Sequence, residues 1–236
     1  MSSLLMRLSG PIQSWGTRSR FDYRSTDREP SKSGVLGLIC SALGIPLEED
    51  PVLYRNLPMG VRYDRVGPLT VDFQTAGYGG VLRAKNAVAH NAIITSHREY
   101  LTDTVFLVGL EGNMPDLERV QEALKNPTWF LTLGRRNCIP SETIWLPDGL
   151  IDQPLRQALS TYPWLCRDNP YVQTPEKLRL TLESATSGLY RQDQLLGSFE
   201  DRCFGSRKIQ SEWILFPTNA TITEESDDDF FESTAR

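Results

Sequence analysis

Between Ser2 and Leu8 the chain alternates loosely and is rich in Leu and Met, then stops at Ser9-Gly10-Pro11, so the pattern predicts a strand ended by a turn. Residues 10–32 carry little periodicity and much Gly, Pro, Ser, Thr and Arg, and a connection this long inside a compact domain is commonly functional. From Ser33 to Leu43 the apolar residues Val35, Leu36, Ile39 and Leu43 recur at helical spacing, with a Ser cap before them and Gly44 after. A buried, glycine-containing helix is expected there. Met59–Tyr63 and Leu69–Phe73 read as two strands around Val66-Gly67-Pro68, a hairpin signal. Residues 76–98 contain Gly77, Gly79 and Gly80 and alternate only weakly, with too few large apolar side chains to be core, which predicts an extended hairpin projecting from the body. Val105–Leu110 reads as a strand, Asp116–Lys125 as a helix capped by Asp116 with Pro127 beyond it, and Trp129–Leu133 as another strand before Gly134.

With the projecting hairpin collapsed into a loop, this order is βαββαβ, so the fold class expected is α+β, ferredoxin-like or RRM-like. Beyond residue 145 the pattern holds a short helix (Gln153–Ser160), a Pro-rich loop and strands at Leu178–Glu183 and Glu212–Phe216. The expected organisation is a domain over 1–145 with its hairpin at about 76–99, a small β-rich C-terminal appendage over 146–222, and a tail over 223–236 without stable structure. Such a scaffold does not by itself specify a function.

Composition changes the picture mainly through the placement of charge. The net charge of −5 argues against a polyanionic partner, but six of the 30 acids lie in residues 224–236 beside a single base, and the remainder of the chain is balanced. Within it the bases cluster. Arg7, Arg18, Arg20, Arg24, Arg28 and Lys32 face only Asp22, Asp27 and Glu29 in residues 1–36; Arg83, Lys85 and Arg98 have no carboxylate beside them in residues 73–98; Arg135 and Arg136 have none in residues 127–141. All but five of the 25 cations are arginine, whose planar fork suits bidentate phosphate contacts. The four cysteines form no C-x-x-C pair and no zinc spacing, and no stretch approaches the ~20 apolar residues of a membrane span. A reduced, cytoplasmic protein without metal or cofactor is expected.

Five ordered elements make the sequence specific: Leu8-Ser-Gly-Pro-Ile-Gln-Ser-Trp-Gly16 with Pro30-Ser-Lys-Ser-Gly-Val-Leu-Gly37, Gly60-Val-Arg-Tyr-Asp-Arg65, Asp72-Phe-Gln-Thr75, Arg98-Glu-Tyr-Leu-Thr-Asp103, and Leu133-Gly-Arg-Arg-Asn-Cys138 leading to Pro140. Across residues 4–140 they resemble the RAMP-type Cas5 superfamily, in particular the CasD subunits of type I-E CRISPR Cascade complexes. The C-terminal third matches only loosely and the acidic tail lies outside the pattern. The resemblance implies a non-catalytic RNA-binding subunit of an antiviral ribonucleoprotein that caps the 5′ handle of the CRISPR RNA. Its implied partners are the CasC backbone subunit, the large subunit CasA and the other Cascade subunits, with target DNA met only through the guide and no membrane involved. The segment 77–98 would correspond to the family's thumb hairpin, which presses across the handle; a loop ordered only on binding is the other reading.

Several residues carry chemistry that suits an RNA strand. Ser31, Lys32, Ser33 and Gly34 set hydroxyls, a lysine and free N–H groups at a helix N-terminus, which reads as an anion site or as a plain helix cap. Gln13, Trp15 and Gly16 follow the first strand, where Trp15 either stacks on a base or belongs to the core or a subunit interface. Arg135 and Arg136 either clamp phosphates or pair with nearby carboxylates, and Arg62 with Asp64 reads as a surface ion pair. His90 and His97 are the two histidines of the chain, both on the projecting hairpin, with Tyr78, Lys85 and Tyr100 near them in sequence. They leave open the alternative of a metal-independent endoribonuclease that processes precursor RNA, although a mobile arm holds acid and base groups loosely. A metal-dependent or nucleotide-dependent enzyme would need a ligand cluster or phosphate loop, and neither spacing occurs.

Overall fold

Leu4, Met6 and Leu8 enter one hydrophobic cluster and Leu5 enters another, so the first strand is buried on both faces and must sit inside a sheet covered on two sides. The computed structural model describes residues 1–18, 22–77, 81–82, 88–89, 93–167 and 169–216. In chain order its elements are β1 (Ser2–Ser9), β2 (Ile12–Gln13), β3 (Tyr23–Arg24), α1 (Lys32–Leu43), α2 (Val52–Arg55), β4 (Met59–Arg65), β5 (Leu69–Ala76), β6 (Val81–Leu82), β7 (Val88–Ala89), β8 (Ile94–Thr102), β9 (Val105–Gly112), α3 (Met114–Lys125), β10 (Trp145–Ile151), α4 (Leu155–Thr161), β11 (Lys177–Glu183), β12 (Leu189–Leu195) and β13 (Phe204–Leu215). The protein is α+β, built on a seven-stranded antiparallel sheet of order β10-β1-β9-β4-β11-β13-β12.

Helices α1 and α3 pack over the face lined by Leu4, Met6, Leu8, Met59, Val61, Phe106 and Val108, and α4 covers the face lined by Leu5, Leu107 and Leu180. The close approach of α4 depends on two glycines. Gly60 and Gly109 stand opposite each other in β4 and β9, and a Cβ at either would meet a leucine methyl of α4 at 2.5 Å. The same face hides the pair expected at the surface. Arg62 is 0% exposed, and its guanidinium donates to both Asp64 carboxylate oxygens (2.7 and 2.8 Å) and to the carbonyls of Leu159 (2.7 Å), Tyr162 (2.5 Å) and Pro163 (2.9 Å). All five N–H donors of the fork are used, which is what permits a buried arginine. Strand parity predicts a shared face for residues 62 and 64, but not that α4 and the segment after it cover that face.

Three other expectations change. The hairpin expected around residues 66–68 does not form, because β4 pairs with β9 and β11 while β5 crosses to β8. Trp129–Leu133 is not a strand: Trp129 N–H donates to Ser41 at the end of α1, Leu133 N–H closes a local turn onto Cys138, and β10 takes the place beside β1. The strands of the C-terminal region extend the main sheet, β11 pairing directly with β4. Helix α3 starts two residues before its predicted first residue. Asn113 is its cap, accepting from Asp116 N–H (2.9 Å), and Asp116 accepts in return from the Asn113 amide.

A second sheet carries the hairpin. Its central strand β8 pairs along one side with β5 and along the other with β2 and β3 in succession, and β6 pairs with β7 farther along the chain. Among the described residues no helix is long and apolar enough to cross a membrane. The acidic tail lies outside the described residues.

Candidate nucleic-acid interface

The exit from β1 is held by a buried glutamine. Gln13 donates to the carbonyls of Leu8 (3.2 Å) and Thr104 (2.7 Å) and accepts from the Trp15 indole N–H (3.1 Å). Trp15 is 1% exposed, and its ring lies 2.9 Å from where a Gly34 Cβ would stand. Of the two readings of Trp15 the buried one describes this chain, and Gln13 is buried with it: both side chains lock the loop against α1, and Trp15 has no open ring face. Gly34 is small because Trp15 lies against it. Gly16 is exposed at the edge of this loop.

The N-terminus of α1 is capped by Ser31, whose hydroxyl accepts from Gly34 N–H (3.3 Å). The expected anion there is already present within the chain. Asp193 accepts from the Lys32 backbone N–H (2.8 Å) and is held in turn by both ends of the Arg207 fork (2.6 and 2.9 Å). Lys32 itself is buried, with Nζ 2.8 Å from Glu183, and Glu29 takes Arg191 and the Tyr63 hydroxyl. Three cations and three carboxylates thus form one network joining α1 to β11, β12 and β13. Burial pulls the Lys32 ammonium below its ordinary range against the opposing pull of Glu183, and burial together with Glu29 pushes the Tyr63 phenol well up. Lys32 is spent on folding, while Ser31, Ser33 and Gly34 of that motif line open space.

Gly134 has φ 95°, and a Cβ there would lie 1.8 Å from the Ser14 carbonyl oxygen, so only glycine makes this turn without strain. The turn presents Arg135 inward. Its guanidinium donates to the backbone carbonyls of Glu99 (3.0 Å) and Arg24 (2.8 Å) and lies 4.9 Å over the Tyr100 ring. Arg135 thus fastens β3 and β8 to the body through backbone carbonyls and not through a carboxylate. Arg136 points outward, exposed and without a protein partner among the described residues.

These turns converge. Ser14, Trp15 and Gly16, then Ser31, Ser33 and Gly34, then Gly134 and Arg135 line one cleft of about 250 Å³, completed by Phe199 and Phe204 from the C-terminal third. A second cleft of about 510 Å³ shares Ser33, Gly34, Gly134 and Phe199 with it and continues along α1 toward Trp129. Three of the predicted segments, drawn from residues 14 to 135 of the chain, are thus one surface. Phe199 and Phe204 carry no sequence signal of this role.

On the hairpin, strand register sets two rows of side chains on opposite faces. Arg24, Arg98 and Asp72 stand abreast in one; Tyr23, His97 and Phe73 stand abreast in the other. The arginine row opens on a cleft of about 390 Å³ with Asp22, Gln74 and Ser96 in its lining. Arg28 is exposed at the end of the same loop. In the aromatic row the His97 ring lies 6.4 Å from Tyr23 and 5.1 Å from Phe73. Tyr100, grouped with His97 by proximity in sequence, is buried on the opposite face, where its hydroxyl accepts from Asn137 (3.0 Å). Arg20, Arg83, Lys85, His90 and Tyr78 lie outside the described residues. Tyr23 carries no sequence signal because its loop has no periodicity, and Phe73 lies inside the Asp72–Thr75 motif with nothing local to mark its exposure.

Residues 3–209 match the family model described as CRISPR-associated protein (Cas_Cas5). The CRISPR system Cascade subunit CasD of Escherichia coli (strain K12) is 29% identical over 178 residues, spanning 69% of this chain and 78% of that protein. A solved structure described as "Crystal structure of Cas protein" is similar at 42% identity and a TM-score of 0.74, over 90% of this chain and 95% of its own. One described as "CRISPR RNA-guided surveillance complex" aligns at 30% identity and a TM-score of 0.74, over 91% of each chain.

Proposed function

The chain belongs to the CRISPR-associated Cas5 family, and on that premise we propose that it is a non-catalytic subunit of a Cascade-type surveillance complex that holds the 5′ handle of the CRISPR RNA. The observation that carries this reading is the convergence of the 14–16, 31–34 and 134–135 segments on one cleft, with the exposed Arg24, reached through Arg135, and the exposed Arg136 beside it. The small residues Ser14, Gly16, Ser33, Gly34 and Gly134 of the cleft admit a strand closely, and in this reading the arginines near it meet the phosphates. The sheet order β10-β1-β9-β4 with α1 and α3 on one face supports a ferredoxin-like core, which suits RNA lying against loops and a hairpin. In this reading the subunit caps the row of CasC backbone subunits and abuts CasA in a cytoplasmic particle. Base pairing by the guide supplies discrimination of the DNA target.

The test is retention of labelled repeat RNA by the purified chain and by the assembled complex, scored at several salt concentrations. Arg136→Ala should weaken retention without regard to sequence and lower the salt slope by about 1, as loss of one phosphate contact does. Retention that is independent of the handle would refute the assignment. Cleavage by the chain alone that disappears in His97→Ala would replace it with the ribonuclease.

A further inference from the structure

Resting on the RNA-binding reading and extending it to a site of its own, we propose that Tyr23, His97 and Phe73 form a platform on which two splayed bases of a single RNA strand stack. The three residues come from separate strands and occupy one row across the sheet, Tyr23 and Phe73 each in register with His97. Folding does not account for their position. Tyr23 is 48% and Phe73 57% exposed, and the neighbouring Val71 is exposed on the same face. Aromatic side chains left uncovered in a row on a sheet face are the arrangement by which sheet-based RNA-binding modules stack two or three unpaired bases.

Charge favours a nucleic acid over an apolar protein surface as the occupant. The one carboxylate in the adjoining row, Glu99, is engaged on both oxygens, by the Tyr23 hydroxyl and by the Thr26 N–H (3.1 Å), so it fixes the Tyr23 ring instead of standing free. Each ring of the pair Tyr23 and His97 is followed in the chain by an arginine turned to the other face, Arg24 and Arg98. Strand β3 is an edge of this sheet, so a strand whose bases lie on the rings passes its phosphates around that edge to Arg24. The rings then hold bases and the arginines hold backbone, on two faces of one hairpin.

The experiment uses the full chain and single-stranded repeat RNAs carrying 2-aminopurine at one position at a time, because stacking on an aromatic ring quenches its fluorescence. Quenching is expected at two neighbouring positions. Phe73→Ala and His97→Ala, both on the exposed face, should abolish it there and weaken binding about 5- to 150-fold, with the melting temperature unchanged and Phe73→Trp restoring the signal. In Arg136→Ala the pattern of quenching should persist while affinity falls at every position. Wild-type affinity and quenching in Phe73→Ala would overturn the platform and leave the RNA-binding reading standing. Intact RNA affinity with loss of incorporation into the multi-subunit particle would overturn it in favour of a protein contact. A wild-type chain that binds no RNA, alone or in the assembled complex, removes the platform together with the reading beneath it.

Discussion

Replacing Asp64 with alanine tests whether the buried arginine is held as the structure implies. Asp64 supplies two of the five acceptors of Arg62 and also accepts from Leu165 N–H (2.8 Å), so the substitution strands a guanidinium in a site with no access to water and releases the segment after α4. Breaking one side of a buried ion pair costs about 3–5 kcal/mol, because the remaining charge keeps its full desolvation penalty. For a chain of this size each kcal/mol lowers the melting temperature by about 2–4 °C, which gives a fall of roughly 6–20 °C. Urea unfolding followed by tryptophan fluorescence measures the loss directly, and Trp164, whose indole N–H donates to the Asp64 carbonyl (2.8 Å), reports on the same segment. The double variant Arg62→Met, Asp64→Leu removes both charges but leaves the Leu159, Tyr162 and Pro163 carbonyls without their donor. It should recover part of the loss and not all of it, since each buried carbonyl left unpaired costs about 1–3 kcal/mol. An Asp64→Ala chain within about 0.5 kcal/mol of wild type would refute the reasoning, as that is the range of ordinary surface substitutions.

Gly134→Ala forces a left-handed φ and a Cβ into the Ser14 carbonyl, so it should destabilise the chain by about 1–3 kcal/mol and loosen the Arg135 clamp. Thermal melting and protease susceptibility near residues 24 and 99 would both register it, and an unchanged melt would count against the turn. Stability should be flat from pH 7 to 9 and then decline toward pH 12. Burial pushes the Cys40 and Cys166 thiols to about 12 from an ordinary 9.0 and raises the Tyr63 and Tyr162 phenols as well. Below pH 9 both the folded and the unfolded chain hold these protons; above it the unfolded chain loses them first and is favoured. Melts across that range should show the decline, Cys166→Ala should reduce it, and a flat profile to pH 11 would sink the argument.

The sequence alone determines the elements whose signals are local. Helix α1 is legible from its apolar spacing, and Gly44 ends it where the left-handed cap requires (φ 73°). Strands β1, β4 and β9 are legible from their apolar runs, and the outward Arg24, Arg28 and Arg136 follow from charge clustering. The ordered motifs name the family on their own, because family identity is carried by the order of short motifs and needs no geometry.

Only the tertiary structure decides what each polar group meets. The Pro30–Gly34 segment has every local feature of an anion site, yet its anion is Asp193, 161 residues away in the chain. Arg62 reads as a surface residue until α4, nearly a hundred residues later, seals its face. Trp129–Leu133 has strand propensity, but β10 holds the position beside β1 and the segment bonds to α1 instead. Tyr23 belongs to no periodic pattern, and only cross-strand register sets it beside His97 and Phe73. Local pattern specifies conformation through contacts a few residues apart, whereas burial and charge pairing depend on which distant strand arrives opposite, and that is settled when the sheet closes.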